Sequence, residues 1–190
     1  MIRSLLLLSV LVAACGDNQD APLHYSNPAA GGKLRLVKNT TLQTTDTEVA
    51  LDLVVGDQPL TGYSVGFNLP VGHRLVHLVD FIPGTALDPG SAPAAAQAAL
   101  PIAGPLADTL ATGLSQKATG PGAVTTDTTV APKSVLYTIR LQMVPNAADG
   151  VAFDGTAADF HLPSGGMRDR GGTTVVEANE VAIGKLEINR

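Results

Sequence analysis

Ser134-Val-Leu-Tyr-Thr-Ile-Arg-Leu-Gln-Met-Val144 is the stretch on which the fold turns. Its apolar residues recur at every second position. Val135, Tyr137, Ile139, Leu141 and Met143 share one face, and Thr138, Arg140 and Gln142 share the other. A period of two belongs to a strand, because successive side chains point to opposite sides of it. Five inward apolar positions in succession describe a strand through the centre of a core.

The same period spreads outward on both sides. Upstream, Leu34 and Leu36 share a face within Lys33–Lys38, and Val49, Leu51 and Leu53 do so within Glu48–Val54, with Glu48 and Asp52 outward. After the turn signal Gly56-Asp57 come Tyr63, Val65, Phe67 and Leu69, with Ser64, Gly66 and Asn68 opposite. Pro70 closes that run, since proline has no amide to give a ladder. His73–Ile82 reads as a further strand, placing His73 and His77 with Leu75, Val79 and Phe81. Leu106–Lys117 is extended around Leu110 and Leu114. Downstream, Asp149-Gly150 and Asp154-Gly155 mark turns beside Val151–Phe153 and Phe160–Leu162. Thr173–Val176 and Val181–Ile188 close the chain, and Gly184, where the phase breaks, has the look of a β-bulge. Two segments depart from this pattern. Ala94–Leu100 (AAAQAAL) has strong helix propensity between Pro93 and Pro101 and predicts one or two helical turns. Ala118–Lys133, rich in Thr, Gly and Pro, predicts a long loop or irregular edge.

Eight or nine short strands, turn signals between them and at most one short helix define an all-β chain: a β-sandwich with jelly-roll or Greek-key connections, over residues 33–190. The composition narrows what such a domain does. Twelve Lys+Arg against 17 Asp+Glu, with no basic cluster, argue against a nucleic-acid partner. There is no Trp, and only three Tyr and four Phe, so the flat aromatic platforms that carry sugar rings are scarce.

The amino terminus sets location. Arg3 precedes a short apolar run, Leu5–Leu11, followed by Ala13 and Ala14. At roughly ten residues the run falls well short of the ~20 that span a bilayer as a helix, so residues 1–14 read as an export signal. Leu11-Val12-Ala13-Ala14-Cys15 resembles the lipobox of bacterial lipoproteins. The resemblance implies cleavage before Cys15, a diacylglycerol thioether on its sulfur, and a further acyl chain such as palmitate on its amino group. Two or three chains make a durable membrane anchor where one holds only marginally. The other reading is an ordinary secretory signal that leaves Cys15 a free thiol. Gly16 rather than aspartate follows Cys15, which favours the outer over the inner membrane, with the protein held at the cell envelope. Residues 15–32 then read as lipidated cysteine plus flexible linker, with His24 and Tyr25 exposed. Cys15 is the sole cysteine, so no disulfide is available within the chain.

The element order is similar to the cohesin and carbohydrate-binding-module superfamily of β-sandwiches. The similarity rests on Leu60-Thr-Gly-Tyr-Ser-Val-Gly-Phe67, on Leu110-Ala-Thr-Gly-Leu-Ser115 leading to Leu136-Tyr-Thr-Ile-Arg-Leu141, and on the closing Val181-Ala-Ile-Gly-Lys-Leu-Glu-Ile188. It implies a non-catalytic module that binds or scaffolds another macromolecule, a protein or a polysaccharide, and transfers no contact residue.

Four groups of residues are candidate sites. His73 and His77, four apart, have a spacing that could ligate a metal, with Asp80 or His161 as further donors. More simply, they are rim histidines of a half-buried strand. Asp149, Asp154 and Asp159 recur every five residues and could gather calcium. Two of them precede Gly, which already accounts for them as turn residues. Gly113-Leu-Ser-Gln-Lys117 approaches a hydrolase nucleophile elbow at Ser115, but Lys117 stands where that turn needs glycine. Arg168, Asp169 and Arg170, between glycine pairs, form a charged loop tip; with the 118–133 loop it is the expected place for partner recognition. No catalytic residue and no cofactor is assigned. The preferred reading is a lipid-anchored envelope protein with a binding sandwich. The alternatives are an envelope hydrolase using Ser115 and a histidine, and a sugar-binding module needing an exposed pair among Tyr25, Tyr63 and Tyr137.

Overall fold

The decisive stretch forms strand β10 (Val135–Met143), hydrogen-bonded on both sides at the heart of a five-stranded sheet. A computed structural model describes residues 22–87, 95–117 and 126–190. The signal, Cys15 and the residues up to 21 lie outside that range. With strands numbered along the chain, the first sheet runs β14 (Val181–Ala182), β2 (Leu34–Lys38), β3 (Glu48–Val55), β10, β6 (Val76–Pro83). The second runs β13 (Thr174–Val176), β12 (Ser164–Arg168), β5 (Ser64–Pro70), β8 (Thr109–Ser115), β7 (Ala95–Ala99). A three-stranded sheet, β1 (Leu23–Ser26), β15 (Lys185–Ile188), β11 (Gly150–Asp154), and a ribbon of β4 (Leu60–Gly62) with β9 (Thr128–Val130) complete the architecture. The fold is the expected β-sandwich, and its only described helical turn is the 3-10 segment Ala178–Glu180.

The apolar faces read from the period close the core except at Val135, which is 38% exposed: the register against β3 shifts between it and Tyr137, and Leu136 is buried in its place. Leu51, Leu53, Tyr137, Ile139 and Leu141 of the first sheet are buried, as are Val65, Phe67, Leu69, Leu110 and Leu114 of the second. Tyr137 joins the two layers. Its ring lies 6.3 Å from Phe67 and 4.9 Å from Phe81, and its hydroxyl pairs with Thr112 Oγ1 at 2.7 Å. Leucine-to-alanine changes at such sites cost about 2–5 kcal/mol, because the cavity left behind adds to the lost burial.

Five expectations need correction. First, the linker over 15–32 is shortened, since Leu23–Ser26 pairs with β15 and Tyr25 is 2% exposed. The Tyr25 hydroxyl donates to the Leu36 carbonyl (2.7 Å) and accepts from the Gly184 amide (2.9 Å). Second, Ala95–Ala99 is a strand, paired with β8 along its whole length. Seven residues are too few for helix propensity to hold a helix in water, where ~12–15 are marginal, so the ladder wins. Third, Gly184 is not a bulge. It is the point where the chain leaves β14, parallel to β2 in the first sheet, for β15 in the three-stranded one. A Cβ there would strike the Ser26 carbonyl and the Tyr25 ring. Fourth, the 118–133 segment contains strand β9, paired with β4. Fifth, β6 starts at Val76, and its register slips between Leu78 and Asp80, so His73 and Leu75 precede it and Val79 is a bulge. The strand total exceeds eight or nine because β1, β7, β9 and β12 add to the strands read from the period and because two runs divide where they change sheets, β4 from β5 and β14 from β15; Phe160–Leu162 is not a strand.

Candidate functional site

The outward face of the second sheet is built from the positions opposite its core residues. Three rows cross it. Gly166, Gly66, Gly113 and Gln97 are successive cross-strand neighbours in the middle row. Arg168, Ser64, Ser115 and Ala95 form one flank, and Ser164, Asn68, Ala111 and Ala99 the other. Small residues on β12, β5, β8 and β7 leave a shallow open groove of about 620 Å³ over the backbone of the middle row.

The glycines of that row are not equivalent. A Cβ on Gly66 would run into the Thr112 carbonyl, and one on Gly166, whose φ is +125°, into the Val176 carbonyl. Those two are required by the backbone. Gly113 is different: a Cβ there would meet nothing nearer than Gln97 Cγ, at 4.0 Å. A glycine inside a strand costs roughly 0.5–1 kcal/mol relative to alanine, so at Gly113 the bare backbone weakens the strand without relieving any clash. It keeps the groove open.

The polar groups of the groove are partly unspent. Asn68 Nδ2 donates to Ser164 Oγ at 2.8 Å, and Arg168 Nη1 to the Gly172 carbonyl at 2.9 Å. The side chains of Ser64, Gln97 and Ser115 have no partner among the described residues. The outward face of the first sheet contrasts with this. There Asp52, 7% exposed, accepts from Thr138 Oγ1 (2.6 Å) and Asn39 Nδ2 (2.9 and 3.0 Å), and Arg140 clamps Glu48 at 2.5 Å. That face pairs both of these carboxylates, while Arg35 Nε on β2 is buried without a partner among the described residues.

The charged loop tip sits at one rim of the groove. Arg168 ends β12, Asp169 Oδ1 accepts the Thr173 amide (2.7 Å), and the Arg170 amide donates to Asp127 Oδ1 (2.7 Å). The two segments expected to carry recognition therefore meet beside one face. Gln116 adds a second tie, with its Nε2 on Thr128 Oγ1 at 2.7 Å.

The remaining candidates are dispersed. His73 and His77 do not share a strand face. His73 lies in the turn before β6, where its amide and its Nδ1 both meet Asp108 Oδ1, at 2.9 and 2.6 Å. Those contacts hold the Asp108 carboxyl below the usual carboxylate range, the backbone amide contributing most. His77 pairs instead with Gln142 across β6 and β10. Asp154 closes a turn on the Thr156 hydroxyl (2.6 Å) and amide (2.9 Å), which lower its pKa, and Asp149 and Asp159 are exposed turn residues. Among the described residues no three His, Cys, Asp or Glu side chains gather as a metal would require. Ser115 lies in the groove at the far end of β8 from Asp108 and His73, roughly 20 Å along the strand. His161 lines a separate cavity of about 450 Å³ with Phe160, Glu177 and Asn179. The histidines thus do not converge on Ser115. Tyr25 and Tyr137 are buried, so neither joins Tyr63 in an exposed aromatic pair.

Sequence reasoning missed Gln97 and the role of Gly113. A signal was present. Gly66, Gly113 and Gly166 each interrupt an extended run, and glycine inside a strand often marks a close approach.

No family model matches the chain, and no curated protein matches it. Among solved structures, the solution structure of CaCohA2 from Clostridium acetobutylicum is similar at a TM-score of 0.44 and 10% identity, over 81% of this chain and 91% of that one. No helix among the described residues is long and apolar enough to cross a membrane.

Proposed function

We propose that this chain is a recognition module whose β12-β5-β8-β7 face docks a protein partner in the cell envelope. The observation that carries the reading is the groove over Gly113, open by virtue of a glycine that no backbone constraint demands. Free hydroxyl and amide groups at Ser64, Ser115 and Gln97, with one cation at Arg168, supply hydrogen-bonding complementarity without a reactive constellation. A protein partner suits this face better than a saccharide, because no exposed aromatic ring borders it. Filling the groove with Gly113→Leu tests the reading. Partner retention from envelope extract is expected to fall at least tenfold while the melting temperature holds.

The membrane attachment belongs to the same proposal. Cys15 carries the lipid, the outer membrane is the preferred destination, and the eight peptide steps from Cys15 to Leu23 allow a reach of about 28 Å when fully extended. Labelling with a radioactive fatty acid tests this directly. Label on the wild type and none on Cys15→Ser is the expected pattern; an unlabelled wild type ends the lipoprotein reading.

A further inference from the structure

Exposed sheet edges invite pairing with another chain, and proteins guard them with short strands, bulges, charges and prolines. Most edges here are guarded. In the first sheet, β14 has two residues, and β6 carries the Val79 bulge, Asp80 and a terminal Pro83. In the second, β13 has three residues and an irregular register against β12. In the three-stranded sheet β11 is bulged at Ala152.

Strand β7 has none of these devices. It is the last strand of its sheet, in unbroken register with β8 over five residues, with no charge and no proline. Ala95, Ala96, Gln97 and Ala99 are exposed, and Ala98 is half-buried. Its sequence, Ala-Ala-Gln-Ala-Ala, also reads the same in both directions about Gln97. Antiparallel pairing of two identical strands about a two-fold axis opposes residue 97 to itself, 95 to 99 and 96 to 98. An isologous interface needs that kind of self-complementarity.

We infer that β7 pairs antiparallel with β7 of a second copy of this chain, with Gln97 at the axis. Charge favours a second copy over a charged peptide. The strand offers no charge for such a peptide to pair with, and it adds no local like-charge contact to the salt-screened repulsion between two molecules of formal charge −5. The methyl side chains allow close backbone approach, and the two Gln97 amides can each donate to and accept from the other. In antiparallel pairing both outward faces stay on the same side, so the two grooves adjoin across the axis. Five paired residues bury less than the roughly 1,200 Å² of a stable interface, so the dimer is weak and depends on concentration.

Site-specific disulfide trapping tests this. Directly opposed residues of an antiparallel pair have Cα atoms about 4.5–5.5 Å apart, within the span that a disulfide bridges. The full-length chain in mild detergent, with Cys15→Ser removing its native thiol, is oxidised while carrying Gln97→Cys or Ala99→Cys. The expected result is several-fold more covalent dimer from Gln97→Cys than from Ala99→Cys alone. Mixing Ala95→Cys with Ala99→Cys chains should then restore the yield. Equal trapping at both positions, no dimer at all, or disulfides formed only to a different protein would overturn the inference. Unchanged melting temperatures, expected at these exposed positions, make each outcome interpretable.

Discussion

Tyr25 and Gly184 hold the two ends of the chain together. The tyrosine hydroxyl serves a carbonyl of β2 and an amide at the strand switch, and it fits only because position 184 has no side chain. Tyr25→Phe leaves a buried carbonyl and a buried amide unpaired, which costs about 2 kcal/mol. Equilibrium denaturation measures that loss, and a change under a few tenths would argue against the bridge. Gly184→Ala is expected to be worse, because backbone must move to admit the methyl group. By contrast, Gly113→Ala should leave stability unchanged or raise it by up to about 1 kcal/mol. The buried tyrosines also set the alkaline limit. Burial raises the pKa of Tyr25 and of Tyr137 well above the ordinary value. The unfolded chain's tyrosines ionise near pH ~10, so above that pH the unfolded state releases protons that the native state keeps. Stability therefore falls as pH rises past ~10. Absorbance at 295 nm should show these two residues ionising together with loss of the fold; titration in an intact fold would contradict their burial.

Among the elements, those with a strict period of two were legible in advance. Glu48–Val55 and Ser64–Pro70 emerge with the inward faces read from them, as does Val135–Met143 from Tyr137 to Leu141; a register shift before Tyr137 turns Val135 out. Leu23–Ser26 is only four residues long, too short for its alternation of buried Leu23 and Tyr25 with His24 and Ser26 to stand out from the polar segment around it. Where tertiary context outweighs local preference, the local pattern points the wrong way. Ala95–Ala99 favours a helix locally and becomes a strand because β8 offers a ladder. The site suffered most from that error, since β7 supplies one wall of the groove. At this scale Ala99→Thr discriminates. A strand-favouring residue on an exposed strand should raise the melting temperature, by up to about 1 kcal/mol in stability; a helical segment would lose stability instead.

For the molecule as a whole, the two outward faces differ in how far their polar groups are paired. The first sheet's face pairs its carboxylates, Asp52 with Thr138 and Asn39 and Glu48 with Arg140, and leaves Arg35 Nε buried without a partner among the described residues. The second sheet's face leaves Ser64, Gln97 and Ser115 unpaired over a glycine floor, with Arg168 and its loop at the rim. With β1 joined to the sandwich, seven residues (16–22) separate Cys15 from the first strand, where a linker to residue 32 would have seventeen. The most direct measurement compares partner retention from envelope extract by wild type, by Gly113→Leu and by Ile82→Ser on the opposite face, with melting temperatures recorded for all three. Loss of the partner with Gly113→Leu alone, at an unchanged melting temperature, is the predicted result. Retention by Gly113→Leu at the wild-type level, or loss only with Ile82→Ser, would contradict it.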